Sequence, residues 1–441
     1  MLTRIADTFS RGVRRYLPDS LVIAVLMTLF VFVVALLMNI SSPMKIFSSW
    51  GDGFWKYLAF TMQMVLVLMT GMVLAAVPFI KKGLETMADW AKTPRQAYVF
   101  TFLISAAAYY INWGLAVVVG AIFAREVGKR NSRAHFPLLV AAAYAPTALY
   151  SAGLSSSIGL TIATPDHFMA KVMGVIPTSQ TIFSLPTVSI LLALVITMPI
   201  IIVFMAPKNN IVSYRPTYPE HQAKEESAAA LAEPQTPAEK LEHAPWLGML
   251  MGSIGLIYVL YTLVQGTDIN LDLINLTFLS AGLFFHRSLA QFARAFHDAA
   301  TSISPIILQF PFYAGIIAVL GSSGMGQAII DWMTAIASKD NFVIFTYWAA
   351  GIVNILAPSG GGQWALQGPI QVPAGMQLGV NPADIAMAVA WGDAWTNLIQ
   401  PFWTLPILSV VGLGIRDIMG YCIVLSIWVG VITTALMFFL Y

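Results

Sequence analysis

Long stretches of the chain carry no charge, and the polar positions that interrupt them fall at particular places. Leu21 to Met38, Val65 to Ile80, Val188 to Ala206 and Ile418 to Leu440 each approach or exceed the roughly 18 to 20 apolar residues with which a helix crosses a hydrocarbon core of about 30 Å. Through-spans are expected near 20–40, 57–80, 136–163, 187–206, 246–265, 272–286, 303–320, 385–411 and 418–440. Two further apolar segments, 97–124 and 341–375, are long enough to cross but are broken at their centres. The breaks are Tyr110-Ile111-Asn112-Trp113-Gly114 and Asn354-Ile355-Leu356-Ala357-Pro358-Ser359-Gly360-Gly361-Gly362. Arms of roughly 13 residues reach only about 20 Å at about 1.5 Å per residue, so each pair is predicted to be a re-entrant hairpin with its tip near mid-membrane.

Composition agrees: 58% of the 441 residues are hydrophobic and 10% charged, against roughly 45 to 50% and about 25% in soluble domains. A soluble enzyme is excluded, and the formal charge of +2 gives no reason to expect nucleic acid. With the basic N-terminus cytoplasmic, only Lys45, Lys56, Lys171 and Lys339 of the 23 Lys and Arg fall outside, the imbalance that the positive-inside rule requires. Basic loops flank 97–124 on both sides, so that hairpin is expected to enter from the cytoplasm, whereas 341–375 is flanked by Lys339 alone and is expected to dip in from the periplasm. Nine crossings put the C-terminus in the periplasm. Residues 1–19, with Arg4, Arg11, Arg14 and Arg15 offset from Ile5, Phe9 and Val13, suit an amphipathic helix on the anionic inner surface. The apolar run that follows is too long for a signal-peptide core and reads as an uncleaved first span. One cysteine, Cys422, cannot form an internal disulfide.

The two anomalous segments also match each other. Val99-Phe100-Thr101-Phe102 leading to Asn112 resembles Ile344-Phe345-Thr346-Tyr347 leading to Asn354, at offsets of 245 and 242. Gln63 and Gly71 pair with Gln309 and Gly315 at 246 and 244, and Ala143-Tyr144 pairs with Ala390-Trp391 at 247. A near-constant offset between copies facing opposite ways is the mark of an inverted-topology repeat. The expected organisation is an all-α polytopic membrane protein with repeats 20–206 and 246–441, joined by a cytoplasmic linker, 207–245, rich in Pro and Glu. Such an architecture points to a secondary transporter, because two conformations of similar energy let one mid-membrane site face each side in turn.

Irregular backbone at membrane depth is tolerated only inside protein or along a wet cavity, so the hairpin tips are the leading substrate site. The candidates are Asn112, Trp113 and Gly114 in the first, and Asn354, Ser359, Gly360, Gly361 and Gly362 in the second. Ser359 offers a cap, and the glycines let backbone N–H groups approach an anion at a helix N-terminus, which suits a small carboxylate. Asn112 and Asn354 can orient substrate, ligate a cation or close the turn. Two through-spans look broken as well, between Ala145-Pro146-Thr147 and Ser155-Ser156-Ser157, and between Trp391-Gly392-Asp393 and Gln400-Pro401. Asp393 is the one acid well inside the expected spans. Such a residue is by default a functional-site hypothesis: with Asn397 it is the candidate coupling-ion site, taking a proton or ligating sodium, and the alternative is a carboxylate satisfied by Trp395, Thr396 or Asn397. No catalytic group, metal site or cofactor is expected. Gly321-Ser322-Ser323-Gly324-Met325-Gly326 lacks the Gly-Lys-Ser ending of a phosphate loop and reads as a turn, and Ser155 to Ser157 have no His placed to act as base.

Several of these motifs, with Trp50-Gly51-Asp52-Gly53-Phe54-Trp55, Ala124-Arg125-Glu126-Val127, Gln309-Phe310-Pro311-Phe312-Tyr313-Ala314-Gly315 and Gly414-Ile415-Arg416-Asp417-Ile418-Met419-Gly420-Tyr421-Cys422, closely resemble the bacterial short-chain fatty acid transporter family. The likeness runs nearly end to end except in the linker. It implies the ion-transporter superfamily, with two opposed hairpins and a transport domain moving against a dimeric scaffold. It also implies uptake of butyrate- or acetoacetate-class acids across the inner membrane with protons, by a homodimer whose other partner is lipid. The alternatives are a sodium-coupled carboxylate or dicarboxylate transporter, disfavoured because a doubly charged substrate would want a basic partner in the core, and a passive anion channel.

Overall fold

Helix starts follow proline and capping chemistry along most of the chain. Pro43, Pro78, Pro94, Pro245, Pro382 and Pro401 stand in first turns, where the missing N–H would have had no intrahelical partner. Thr93 and Gln96 close a capping box, which satisfies two orphan donors reciprocally. The computed structural model describes residues 20–38, 41–207, 209–215, 236–286, 288–300, 303–356 and 359–441, and every regular element among these is helical.

The first set of helices is α1 (Ser20–Met38), α2 (Pro43–Gly53), α3 (Leu58–Ala75), α4 (Pro78–Ala88), α5 (Pro94–Ile111), α6 (Trp113–Arg130), α7 (Phe136–Tyr144), α8 (Ser157–Ala163) and α9 (Leu185–Phe204). After α10 (Pro245–Val264) and α11 (Leu271–Phe285) come α12 (Leu289–Ala300), α13 (Ser304–Ser322), α14 (Met325–Ile336), α15 (Phe342–Leu356), α16 (Gly360–Gln377), α17 (Pro382–Asn397), α18 (Pro401–Val411) and α19 (Ile415–Leu440). Short helical turns lie at Ala170–Met173, Thr178–Gln180 and Pro237–Glu242. A 3-10 segment, Ala145–Ala152, separates α7 from α8. The starts of α12, α13, α14, α15, α16 and α17 follow those of α2, α3, α4, α5, α6 and α7 by 246 to 248 residues. The order of elements therefore repeats with the period seen in the sequence.

Six described stretches are long and apolar enough to cross a membrane: Leu21–Met38, Leu58–Ala75, Phe136–Ala163, Leu185–Phe204, Pro237–Val264 and Ile415–Leu440. A seventh is added if Ile306–Ser322 and Met325–Ile336, bent by 79°, count together. The bend falls at Gly324, whose φ of 74° is a conformation that glycine adopts without steric penalty. Of the other expected spans, Leu271–Phe285 has 15 residues, and 385–411 is divided between α17 and α18.

Four boundaries differ from expectation. The arms of the first hairpin have 18 residues each, about 27 Å rather than about 20 Å: the Thr93 box starts α5 early, and α6 continues to Arg130 because Glu126 binds Lys129 and Arg130 one turn on. The second pair covers 342–377 with arms of 15 and 18 residues. Asn354 is not in the turn, since α15 runs to Leu356; Ser359, 247 residues after Asn112 by the helix register, occupies Asn112's place. Finally α17 is continuous through Asp393 to Asn397 and breaks only at 398–400; Gly392 serves close packing on α15, against Tyr347 O and Ala350 where no side chain would fit, rather than a break. The amphipathic helix expected in 1–19 and most of the 207–245 linker lie outside the described residues. Of the linker, Pro237–Glu242 is helical with a Thr236–Glu239 capping box.

Two apolar cores form. One gathers α4–α9 with α15–α19 around Phe102, Phe123, Leu138, Trp364, Trp391 and Met419. The other gathers α1–α3 with α11–α13 around Ile46, Met64, Phe278, Phe310 and Tyr313. Trp113, just after the interruption at 112, packs against both cores, and further interruptions fall at 145–156, 359 and 398–400.

Candidate functional site

Breaking a helix inside the apolar layer exposes N–H and C=O groups that must find partners. At the first break one side chain does most of this. Asn112 is fully buried; its N–H donates to Ala108 O at 2.8 Å, its Oδ1 accepts from Leu115 N at 3.0 Å, and its Nδ2 donates to Val67 O on α3 at 3.0 Å. With its polar groups engaged, Asn112 builds the turn. Gly114 lies so close to the Leu68 carbonyl that any side chain would collide with it, and Gly71 abuts the Asn112 side chain in the same way. At the second break the Ser359 hydroxyl accepts from Gly362 N at 3.4 Å, leaving the N–H groups of Gly360 and Gly361 at the start of α16 without an intrahelical partner.

Both breaks border one cavity of about 50 Å³, against about 10 to 15 Å³ needed for a single water. Trp113 lines it from the first tip, and Ser359, Gly360 and Gly361 from the second. Thr147, Tyr150 and Ser157 come from the interrupted span after α7, and Asn397 and Trp403 from the α17–α18 break. Tyr109, hydrogen-bonded to Thr147, adds a further hydroxyl, and Val117, Met64 and Ile306 supply an apolar remainder. Among these lining residues there is no Lys, Arg, His, Asp or Glu. The donors are hydroxyls, the Asn397 amide, the helix N-termini and the Trp113 indole N–H, which is buried without a partner. Such a set suits a small anion with an apolar body: dipoles face the charge and hydrocarbon faces the tail.

Of the residues expected from sequence, Trp113, Ser359, Gly360, Gly361 and Asn397 border the cavity, whereas Asn112, Gly114 and Gly362 shape its walls. Gly362 packs on Tyr313 and Phe310. Asn354 faces α17: its Nδ2 lies 2.9 Å from Thr396 Oγ1 and from Asp393 O, and 2.8 Å from Asn397 Oδ1. Asp393 is fully buried and stands one layer behind the cavity wall. Its Oδ2 accepts from the Tyr150 hydroxyl and from Asn397 Nδ2 at 3.3 Å, while Oδ1 has no partner.

Thr147, Tyr150, Ser157 and Tyr109 were not anticipated as site residues. The break at 145–157 was visible, and a hydroxyl-bearing aromatic inside it was the available signal. Without the fold, however, Tyr150 is indistinguishable from a packing residue.

The family model described as short chain fatty acid transporter matches residues 1–440. A protein of Escherichia coli (strain K12), named as a candidate short-chain fatty acid transporter, is 40% identical over 434 residues, 98% of either chain. A like-named protein of Haemophilus influenzae (strain ATCC 51907 / DSM 11121 / KW20 / Rd) is 37% identical over 456 residues and covers 100% of both chains. Among solved structures, the YdaH transporter of Alcanivorax borkumensis is similar with a TM-score of 0.59 at 14% identity, over 96% of this chain and 98% of that one, a likeness of fold alone.

Proposed function

The chain belongs to the short-chain fatty acid transporter family, and on that premise we propose that it is a secondary active carrier. It takes up butyrate- or acetoacetate-class acids across the bacterial inner membrane by proton symport. The observation that carries this reading is the cavity bordered by both hairpin tips and both broken spans, a cation-free, donor-lined space with room for a few heavy atoms. The carboxylate lies toward Trp113, Ser359 and the Gly360–Gly361 amides, the alkyl tail lies toward Met64 and Val117, and Asp393 carries the coupling proton.

The repeated element order supports two copies inserted with opposite orientation, each with a re-entrant hairpin, the N-terminus cytoplasmic and the C-terminus periplasmic. The position of the cavity at the junction of two apolar cores supports an elevator-like cycle. In it the core containing α5–α8 and α15–α18 moves against the one containing α3 and α13, within a homodimer. One observation favours a second reading, sodium coupling: Asp393 Oδ1 and Asn354 Oδ1 are buried oxygens without partners, as cation ligands would be before binding.

Uptake of labelled butyrate into proteoliposomes, with protein-free vesicles subtracted, decides among these. Accumulation above equilibrium driven by a proton gradient alone is expected. Accumulation only with sodium would transfer the coupling role to the sodium reading, and equilibration under every gradient would identify a passive channel.

A further inference from the structure

Asp393 meets the cavity only through other side chains. Tyr150, in the 3-10 segment Ala145–Ala152, borders the cavity and donates its hydroxyl hydrogen to Asp393 Oδ2. Asn397 also borders the cavity and also bonds Oδ2, but its orientation is fixed from behind, since its Oδ1 accepts from Asn354 Nδ2 at 2.8 Å. The Tyr150 hydroxyl turns about one C–O bond among hydroxyl neighbours, Ser151 and Ser157, that can themselves either donate or accept. It also lies directly against Gly360, where any side chain would strike it, so it sits beside the N–H groups that start α16.

We propose that the Tyr150 hydroxyl is the positioning group that makes substrate binding depend on the proton carried by Asp393. This rests on the reading of Asp393 as the coupling site. A phenol has one hydrogen, and an ionised carboxylate accepts hydrogen bonds without donating any. While Asp393 is ionised, the single hydrogen of Tyr150 points at Oδ2, and none is left to donate to an incoming carboxylate. When Asp393 is protonated, its own O–H donates to the Tyr150 oxygen, and the phenolic hydrogen turns to the substrate carboxylate. No covalent bond breaks at this step: the proton taken from solution stays on Asp393, and the negative charge of the site passes from Asp393 to the bound acid. Two carboxylates without a cation never share the low-dielectric space, an arrangement in which one of them would have to be neutral.

Competing ionisable groups are few among the described residues. The elements packed on α17 contribute Tyr150 itself, Tyr144 at the end of α7, whose hydroxyl donates to Asn397 O, Tyr347 from α15, stacked on Trp395, and Cys422, Tyr421, Arg416 and Asp417 from α19. Arg416 and Asp417 are exposed at the start of α19. α16 and α8 bring none, and Asp384 on α17 lies nine positions earlier, more than two turns away.

The test is titration of butyrate onto the purified protein in detergent between about pH 5.5 and 8, for the wild type, Tyr150→Phe and Asp393→Asn, with thermal unfolding as a control for folding. At the acid end Tyr150→Phe is expected to bind about 10- to 100-fold more weakly, the loss of one charge-assisted hydrogen bond, and to lose most of its dependence on pH. Asp393→Asn is expected to bind with no dependence on pH. Full wild-type pH dependence in Tyr150→Phe, with a flat Asp393→Asn, would overturn the relay and leave Asp393 as the coupling site. Wild-type pH dependence in Asp393→Asn would overturn both. Should Tyr150→Phe fail to fold, 3,5-difluorotyrosine at position 150 keeps the shape and strengthens the donor to ionised Asp393. It is expected to move the midpoint of the pH dependence downward, and an unmoved midpoint would overturn the proposal.

Discussion

Asn112 and Ser359 cap α6 and α16 with nearly the same backbone, φ −161° and ψ 126° for one, φ −160° and ψ 113° for the other. Each accepts from the amide three residues on, Leu115 N at 3.0 Å and Gly362 N at 3.4 Å. Two helix N-termini, 247 positions apart in the chain, are thereby started beside one cavity. Each N-terminus carries roughly half a positive charge, so the pair provides the attraction for an anion that a lysine or arginine would otherwise supply.

The second tip leaves no room for bulk. A Cβ on Gly361 would stand 2.8 Å from Met64 Sδ and 3.2 Å from Phe60 Cζ. Gly361→Val is expected to abolish butyrate uptake while the protein still inserts and purifies as the wild type does. Gly361→Ala, facing a flexible methionine, should keep part of the activity. Normal uptake by the valine variant would move the site elsewhere.

The indole N–H of Trp113 is a buried donor without a partner at the edge of the cavity. Trp113→Phe keeps an aromatic ring against Trp403, whose ring now stands edge-on at 5.6 Å, and removes only the donor. An affinity for butyrate about tenfold lower, with little change in melting temperature, is the expected result. Unchanged affinity would show that the carboxylate points away from this tip.

Asp393→Asn is expected to retain butyrate binding and exchange across the membrane but to lose accumulation driven by an imposed pH gradient. The comparison is net uptake against counterflow in the same proteoliposomes. Undiminished accumulation would remove Asp393 from the coupling step.

Glu126, beyond the apolar part of α6, gives a pH-dependent stability. Burial opposes its charge, but Lys129 at 3.0 Å and Arg130 at 2.8 Å outweigh that and hold its carboxyl below the usual carboxylate range. A carboxyl depressed on folding stabilises the fold above its unfolded pKa of about 4.3, and the contribution is lost as pH falls through the lower folded value. Glu126→Gln should therefore melt at a lower temperature than the wild type at pH 7, with the gap closing below about pH 4. A gap that persists in acid would mean that packing, not charge, is what the substitution removes.

Much of the architecture was written locally. Run length and charge placement marked helices for a bilayer, because transfer of each residue to hydrocarbon depends mainly on its own side chain. The breaks at Asn112 and before Gly360 were legible for a similar reason, since Asn, Pro, Ser and Gly act on the backbone within one turn. Repetition of those local signals carried the period at which helix starts recur, and a single acid in an apolar run drew attention to Asp393.

Only the tertiary structure decided what these pieces do to one another. It took Asn354 out of the turn and laid it on α17, put Asp393 behind the cavity wall rather than on it, and brought Tyr150 across 243 positions of sequence to its carboxylate. In sequence a tyrosine within an apolar run has the same burial value whether its hydroxyl meets a carbonyl, water or an acid. Which partner it finds is fixed by the packing of helices far apart in the chain, where shape and the need to satisfy every buried polar group act together.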